Sequence, residues 1–162
     1  MTIRLTRGVT GFRHEKEPLP ETDMAAFRRA CAQAAGWSQA RLGDVTTFDY
    51  PCNFRWIAIV ERSVTRYALC QMYVPVVAFT EVTPTYGRPE RDDFVDPPLW
   101  LGGFEAEGLQ VLSTEELRTP LSKVDMSDLP AVERQEIDHW RKFLGRDHSE
   151  VVVSDVLFNF WD

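Results

Sequence analysis

The fold is decided by residues 54–82, which read FRWIAIVERSVTRYALCQMYVPVVAFTEV. The segment 54–61 has β-branched and aromatic residues on both alternating faces, which predicts a central strand covered on both sides. After a short hairpin connection, a second strand is predicted over 66–74. Pro75 would remove a ladder hydrogen bond inside a sheet, so it predicts a strand break before a further strand over 76–82. The sequence therefore predicts a meander of antiparallel strands.

Helices and further short strands surround this meander. Apolar residues recur at spacings of three and four from Met24 to Ala34, which predicts a helix over about 23–35. A second main helix is predicted over about 129–144, because Ile137 and Trp140 continue an apolar stripe there. Further strands are predicted over 45–50 and 109–112.

Length and composition fit one globular domain over residues 1–162. The chain is 44% hydrophobic and 12% aromatic, which is enough to form a core without disulfides or metals. We therefore expect an α+β fold, with an antiparallel sheet of roughly four to six strands and two main helices packed on it. No apolar run reaches the roughly 20 residues of a membrane span, and Met1–Thr10 lacks the apolar run of a signal peptide. These features predict a cytoplasmic protein that does not bind membranes.

Local patterns predict further details nearer the ends of the chain. Ile3–Thr6 alternates weakly, as an edge strand would. Residues 113–116, Ser-Thr-Glu-Glu, fit a capping box that opens a short helix. In the second main helix we expect the acidic positions mostly on the side opposite the apolar stripe. These positions are Glu133, Glu136 and Asp138.

The chain ends on VLFNFWD, residues 156–162. Three aromatic residues among the last five could bury a large apolar area, whereas termini usually fray. We therefore expect this segment to dock into the core; the alternative is that a partner covers it. Seven residues do not distinguish a strand from a short helix.

Cysteine and histidine positions argue against a metal site and a disulfide framework. The three cysteines are isolated, so we expect small buried hydrophobes. No histidine pair has the i, i+4 spacing of a helical metal site. No Gly-x-Ser-x-Gly elbow, phosphate-binding glycine loop or dinucleotide fingerprint occurs. We therefore expect no metal, no cofactor and no catalytic residue, although the members of a Ser/His/Asp site can lie far apart in sequence.

The formal net charge of −7 is unevenly distributed along the chain. Residues 103–138 hold nine acidic and three basic residues. This block disfavours nucleic-acid binding, which depends on clustered cations. It either attracts a basic protein partner or keeps an acidic surface soluble.

Residues 83–98, TPTYGRPERDDFVDPP, are the longest stretch without a predicted element. They contain four prolines and six charged residues, as a surface loop would. Loops of this length in compact domains are often functional, and aromatic and arginine residues are frequent anchors of protein interfaces. We therefore predict a partner-binding surface formed by Tyr86, Arg88, Arg91, Asp92, Asp93, Phe94 and Asp96.

Three segments of the chain carry a resemblance to known proteins. They are VLFNFWD at the end, FVDPPLW at 94–100 and GLQVLS at 108–113. Together they resemble a set of small acidic bacterial proteins that end in a similar Phe-Asn-aromatic-Trp-Asp sequence, and that are similar in character to immunity proteins of toxin systems. The resemblance implies a cytoplasmic α+β domain that binds and neutralises a cognate toxin, and it assigns no functional residue.

Two other hypotheses remain at this stage. The first is a small hydrolase or transferase that uses the carboxylates of Asp92, Asp93 and Asp96 together with His139. The second is a homodimer whose subunits exchange the aromatic tail. A deep pocket lined by convergent polar groups would favour the enzyme, and an acidic face without one would favour binding.

Overall fold

The structure is a computed structural model, and it describes residues 3–13, 16–46, 52–84, 89–98, 102–144 and 150–159. It has an α+β fold, in which a mostly antiparallel sheet carries helices on both faces. The described helices are α1 (Met24–Ser38), α2 (Gly102–Ala106), α3 (Thr114–Leu117), α4 (Ala131–Leu144) and α5 (Val153–Leu157). The described strands are β1 (Arg41–Leu42), β2 (Phe54–Glu61), β3 (Val64–Gln71), β4 (Val76–Thr80), β5 (Phe94–Val95) and β6 (Gln110–Val111). No helix among the described residues is long and apolar enough to cross a membrane.

The sheet confirms the predicted meander and adds one parallel strand. Its order is β1-β2-β3-β4-β5 with antiparallel neighbours, and β6 pairs with the start of β4. The turn between β2 and β3 is tighter than expected, because Arg62 adopts a left-handed conformation with φ of 55°. The strand expected over 109–112 is present as β6, but it runs parallel to β4. A parallel neighbour requires a crossover, which β5 and α2 provide.

Strand β2 is covered on both sides, as its sequence predicts. Phe54 and Trp56 face a cluster that includes the C-terminal segment. Ile57 and Ile59 face the opposite cluster, which α1 covers with Phe27 and its neighbours. The apolar stripe of α1 is therefore confirmed as its core contact, and the helix extends three residues beyond the predicted end.

The cysteines behave as the small hydrophobes that were expected. Cys31 and Cys70 are free thiols buried between α1 and the sheet, and Cys52 is half-buried. Burial raises the pKa of the Cys31 thiol and raises the pKa of Cys70 to about 12. Neither buried thiol is therefore poised as a nucleophile at neutral pH.

The C-terminal segment docks into the core through a short helix. All residues of α5 are buried, and the ring of Phe158 lies edge-on to Phe54 with centroids 5.8 Å apart. The backbone N–H of Asn53 donates to the Asn159 carbonyl at 3.1 Å. The Asn159 N–H donates in turn to Oδ1 of Asn53 at 2.8 Å. Residues 160–162 lie outside the described part.

In the described residues, two of the expected strands are represented by isolated bridges. Residues 3–6 form no named strand, although Arg4 makes an isolated parallel bridge to Asp125. In the strand expected over 45–50, Thr46 bridges Trp56, and residues 47–50 lie outside the described part. Arg41 and Leu42 form an edge strand beside β2 that the sequence patterns did not predict.

The expectation that Glu133 lies on the solvent side of its helix was wrong. Its side chain is fully buried and accepts hydrogen bonds from the N–H groups of Gly8 at 2.6 Å and Thr10 at 2.9 Å. The Thr10 hydroxyl donates a third bond at 2.8 Å. Glu133 precedes Ile137 by four residues, so both lie on the same side of α4. The N-terminal turn supplies the donors that make this burial tolerable.

Candidate partner-binding face

The loop 89–98 is fixed against α3 by Asp96. Oδ1 of Asp96 accepts hydrogen bonds from the N–H of Thr114 at 2.9 Å and from its hydroxyl at 2.8 Å. Helix α3 begins there because Ser113 and Glu116 form the predicted capping box, with bonds of 3.2 and 2.8 Å. The Asp96 carboxylate therefore ties the acidic loop to the first turn of an acidic helix.

Arg91 ties the same loop to the C-terminal segment. Its Nη2 donates to Oδ2 of Asp155 at 2.7 Å and to the carbonyl of Glu150 at 2.7 Å. The Asp155 carboxylate is 1% exposed and also accepts the N–H of Val152 at 3.0 Å. A buried carboxylate needs such a partner, so the guanidinium of Arg91 acts inside the fold.

Two other predicted site residues also make internal contacts. Oδ2 of Asp93 accepts the N–H of Glu90 at 3.1 Å, which closes the 3₁₀ turn over Arg91–Asp93. The ring of Phe94 is buried in β5, with its centroid 5.7 Å from that of Phe158. The structure thus places Phe94 in the core, where it anchors the loop, rather than at the surface. Tyr86 and Arg88 lie outside the described residues.

The carboxylates of the loop and of the start of α3 form a surface that we name the acidic face. The side chain of Asp92 is 97% exposed, and its Oδ1 lies 3.4 Å from Nη2 of Arg118. Glu90, Asp96 and Glu115 are also exposed, and Asp93 is half-buried. Five carboxylates thus lie on or beside a loop that Asp96, Arg91 and Phe94 hold in place. The acidic face consists of Glu90, Asp92, Asp93, Asp96 and Glu115.

Sequence reasoning did not assign Glu115 to this surface. The loop and the acidic block were recognised separately, and the bond from Thr114 to Asp96 brings them together across 18 positions of sequence. The available signal was the capping box, which places an acidic helix start directly after β6. Pairing of β4 with both β5 and β6 then puts the two segments side by side.

The candidate catalytic side chains have different surroundings. Asp92 points to solvent, whereas Asp93 and Asp96 accept backbone N–H groups, and His139 is exposed on α4. Within the described part of the chain, no group of three His, Cys, Asp or Glu side chains could hold a metal ion.

A mostly apolar cavity of about 550 Å³ lies beside α3. It lies between the N-terminal segment on one side and β6 and the start of β4 on the other. Its floor consists of the buried residues Leu5, Val9, Val74, Leu112 and Leu157. Its polar rim consists of Arg4, Thr6, Gln110 and Glu116. None of the described candidate catalytic residues Asp92, Asp93, Asp96 and His139 is among the residues that line this cavity.

The hydrogen bonds to Asp96 predict a pH-dependent contribution to stability. The N–H and hydroxyl of Thr114 lower the pKa of Asp96 below its ordinary value of 3.8. Because the folded-state pKa is depressed, this contribution is present above pH 3.8 and is lost as the pH falls through the folded-state pKa. We expect Asp96→Asn to lower the melting temperature at pH 7 and to lower it less at pH 3. An equal difference at both pH values would contradict this assignment.

Comparisons with known proteins returned no match. No family model matches the chain, and neither a curated protein nor a solved structure matches it.

Proposed function

We propose that this chain is a non-enzymatic, cytoplasmic protein-binding domain of the immunity type, which neutralises a cognate bacterial toxin. The observation that carries the proposal is the acidic face, whose carboxylates lie on or beside a loop that is anchored to α3 and to the core. The surface that binds the toxin comprises this face, and the toxin presents a basic patch to it.

Anchoring of the loop supports a binding role because it reduces the entropy that binding must overcome. Asp96 is bonded to α3, and Arg91 is bonded to the buried Asp155. Phe94 holds the same loop in the core. A preformed surface binds more tightly than one that orders only on contact. These three residues therefore contribute to partner binding by positioning the loop.

The charge of the face supports a basic partner. Asp92, one of the five carboxylates, makes a weak contact with Arg118. The charge of Arg91, in the same loop, is already balanced by Asp155. A cluster of one sign raises the association rate with a surface of opposite sign and opposes partners of like sign. A basic toxin domain meets this requirement.

A single charge reversal tests the proposal. Asp92→Lys is expected to weaken the affinity for the toxin encoded beside this chain's gene by about tenfold, mainly through slower association. The affinity should also depend less on salt than that of the wild type. Because Asp92 is almost fully exposed, the variant should keep its melting temperature. Surface plasmon resonance between 50 and 300 mM NaCl measures both effects.

Asp44→Lys is the matched control for this experiment. Asp44 is also exposed, and it follows β1 at the opposite edge of the sheet. The net charge changes equally in the two variants, so a general charge effect would weaken both. Equal affinities of Asp92→Lys and Asp44→Lys would contradict binding through the acidic face.

A further inference from the structure

We propose that the cavity beside α3 receives one aromatic side chain of the same toxin, flanked on the toxin by cationic residues. This proposal rests on the proposed function and specifies the partner's chemistry. The cavity and the acidic face share α3, because Glu116 lines the cavity and Thr114 holds Asp96. A single partner surface can therefore cover both.

The floor of the cavity favours an apolar occupant. Its residues are buried aliphatic side chains, and the polar atoms lie at the rim. A volume of about 550 Å³ falls within the range of ligand pockets. An aromatic side chain would bury about 150–250 Å² of surface there. No charged group lies in the floor to orient a polar metabolite.

The rim selects for cations beside the apolar group. Arg4 is bonded to Asp125 through Nε and to Asp128 through Nη1, each at 3.1 Å. Glu116 also lines the rim, so the charged side chains in and beside it are one guanidinium and three carboxylates. A second copy of this chain would bring like charges together at the acidic face, whereas a basic partner complements both surfaces. We therefore assign the cavity to the toxin rather than to self-association.

Three short peptides test the cavity without knowledge of the toxin. Acetyl-Lys-Trp-Lys-amide is titrated into the whole chain while methyl chemical shifts are recorded by NMR. We expect saturable shifts at Leu5, Leu112 and Leu157, with a dissociation constant on the order of 1 mM. Acetyl-Glu-Trp-Glu-amide should bind about fivefold more weakly because of the rim charges. Acetyl-Lys-Ala-Lys-amide should not shift these methyl groups.

Filling the cavity provides the second arm of the test. Gln110→Trp places a large side chain at the rim from β6 and should abolish the shifts, and Thr6→Trp should do so from the opposite rim. Leu42→Trp is the control, since Leu42 is an exposed residue of the edge strand β1. It should bind the first peptide as the wild type does.

The outcomes separate this proposal from the proposed function. Absent shifts, or equal affinities for the Lys-flanked and Glu-flanked peptides, would overturn the cavity proposal. Toxin binding that is unchanged by Gln110→Trp and weakened by Asp92→Lys would overturn it as well, while the proposed function would stand. Failure of the wild type to bind the toxin would remove the proposed function, and the cavity's assignment to that partner with it.

Discussion

Replacing Phe158 with alanine is expected to lower the free energy of unfolding by about 3–5 kcal/mol. The side chain is fully buried between β2 and β5, where its ring contacts Phe54 and Phe94 at centroid distances of 5.8 and 5.7 Å. Alanine would leave a cavity at the point where the C-terminal segment meets the loop of the acidic face. Urea denaturation measures the loss.

Phe143→Ala is the matched control for this substitution. Phe143 is 61% exposed and stacks on Trp140 with centroids 5.9 Å apart. Its removal should cost less than about 1.5 kcal/mol, because little buried area is lost. If Phe158→Ala kept its stability but lost a partner, the segment would be a binding element and the docked account would be wrong.

Replacing Glu133 with glutamine is expected to cost about 2–3 kcal/mol of stability. The carboxylate accepts three hydrogen bonds in a fully buried position, two of them from backbone N–H groups. A glutamine amide keeps the size but turns an N–H₂ group toward one set of donors, which leaves a buried donor unpaired. Urea denaturation and hydrogen exchange at Gly8 and Thr10 should both report the change.

Glu136→Gln controls for the loss of one negative charge on the same helix. Glu136 is half-buried on α4, and its substitution is expected to change stability by less than about 0.5 kcal/mol. Equal stability of the two variants, with unchanged exchange at Gly8 and Thr10, would show that Glu133 does not hold the N-terminal turn.

Much of the fold was predictable because local patterns and tertiary contacts agree. The alternation in 54–61 and the break at Pro75 correspond to β2, β3 and β4. Spacings of three and four correctly placed α1 and its buried face. Each of these signals lies within a single element and repeats over several residues. It can therefore be recognised from one sequence alone.

The differences arise where a long-range contact decides the structure. Glu133 is an acidic residue in a helix, and its local sequence is typical of a surface position. Its carboxylate is buried because it accepts hydrogen bonds from the N–H groups of residues 8 and 10, which are distant in sequence. The direction of β6 depends on the crossover through α2, which its own few residues do not encode. The segment 156–162 was too short to distinguish strand from helix. Its first two residues, Val156 and Leu157, belong to the helix α5.

The candidate site was predicted in part for the same reason. The acidic loop and the acidic block were visible as composition, since charge is a property of the sequence itself. Their juxtaposition was not visible, because the contact between Asp96 and Thr114 joins separate elements. The internal roles of Arg91 and Phe94 were missed because an arginine and an aromatic residue in a loop serve equally well as interface anchors.

The most direct test of the central claim is growth of cells that express the neighbouring gene's toxic product. We predict that co-expression of the wild-type chain restores growth, that Asp44→Lys restores it equally, and that Asp92→Lys combined with Glu115→Lys restores it poorly at comparable protein levels. Failure of the wild-type chain to protect these cells, or full protection by the double charge reversal, would contradict inhibition through the acidic face.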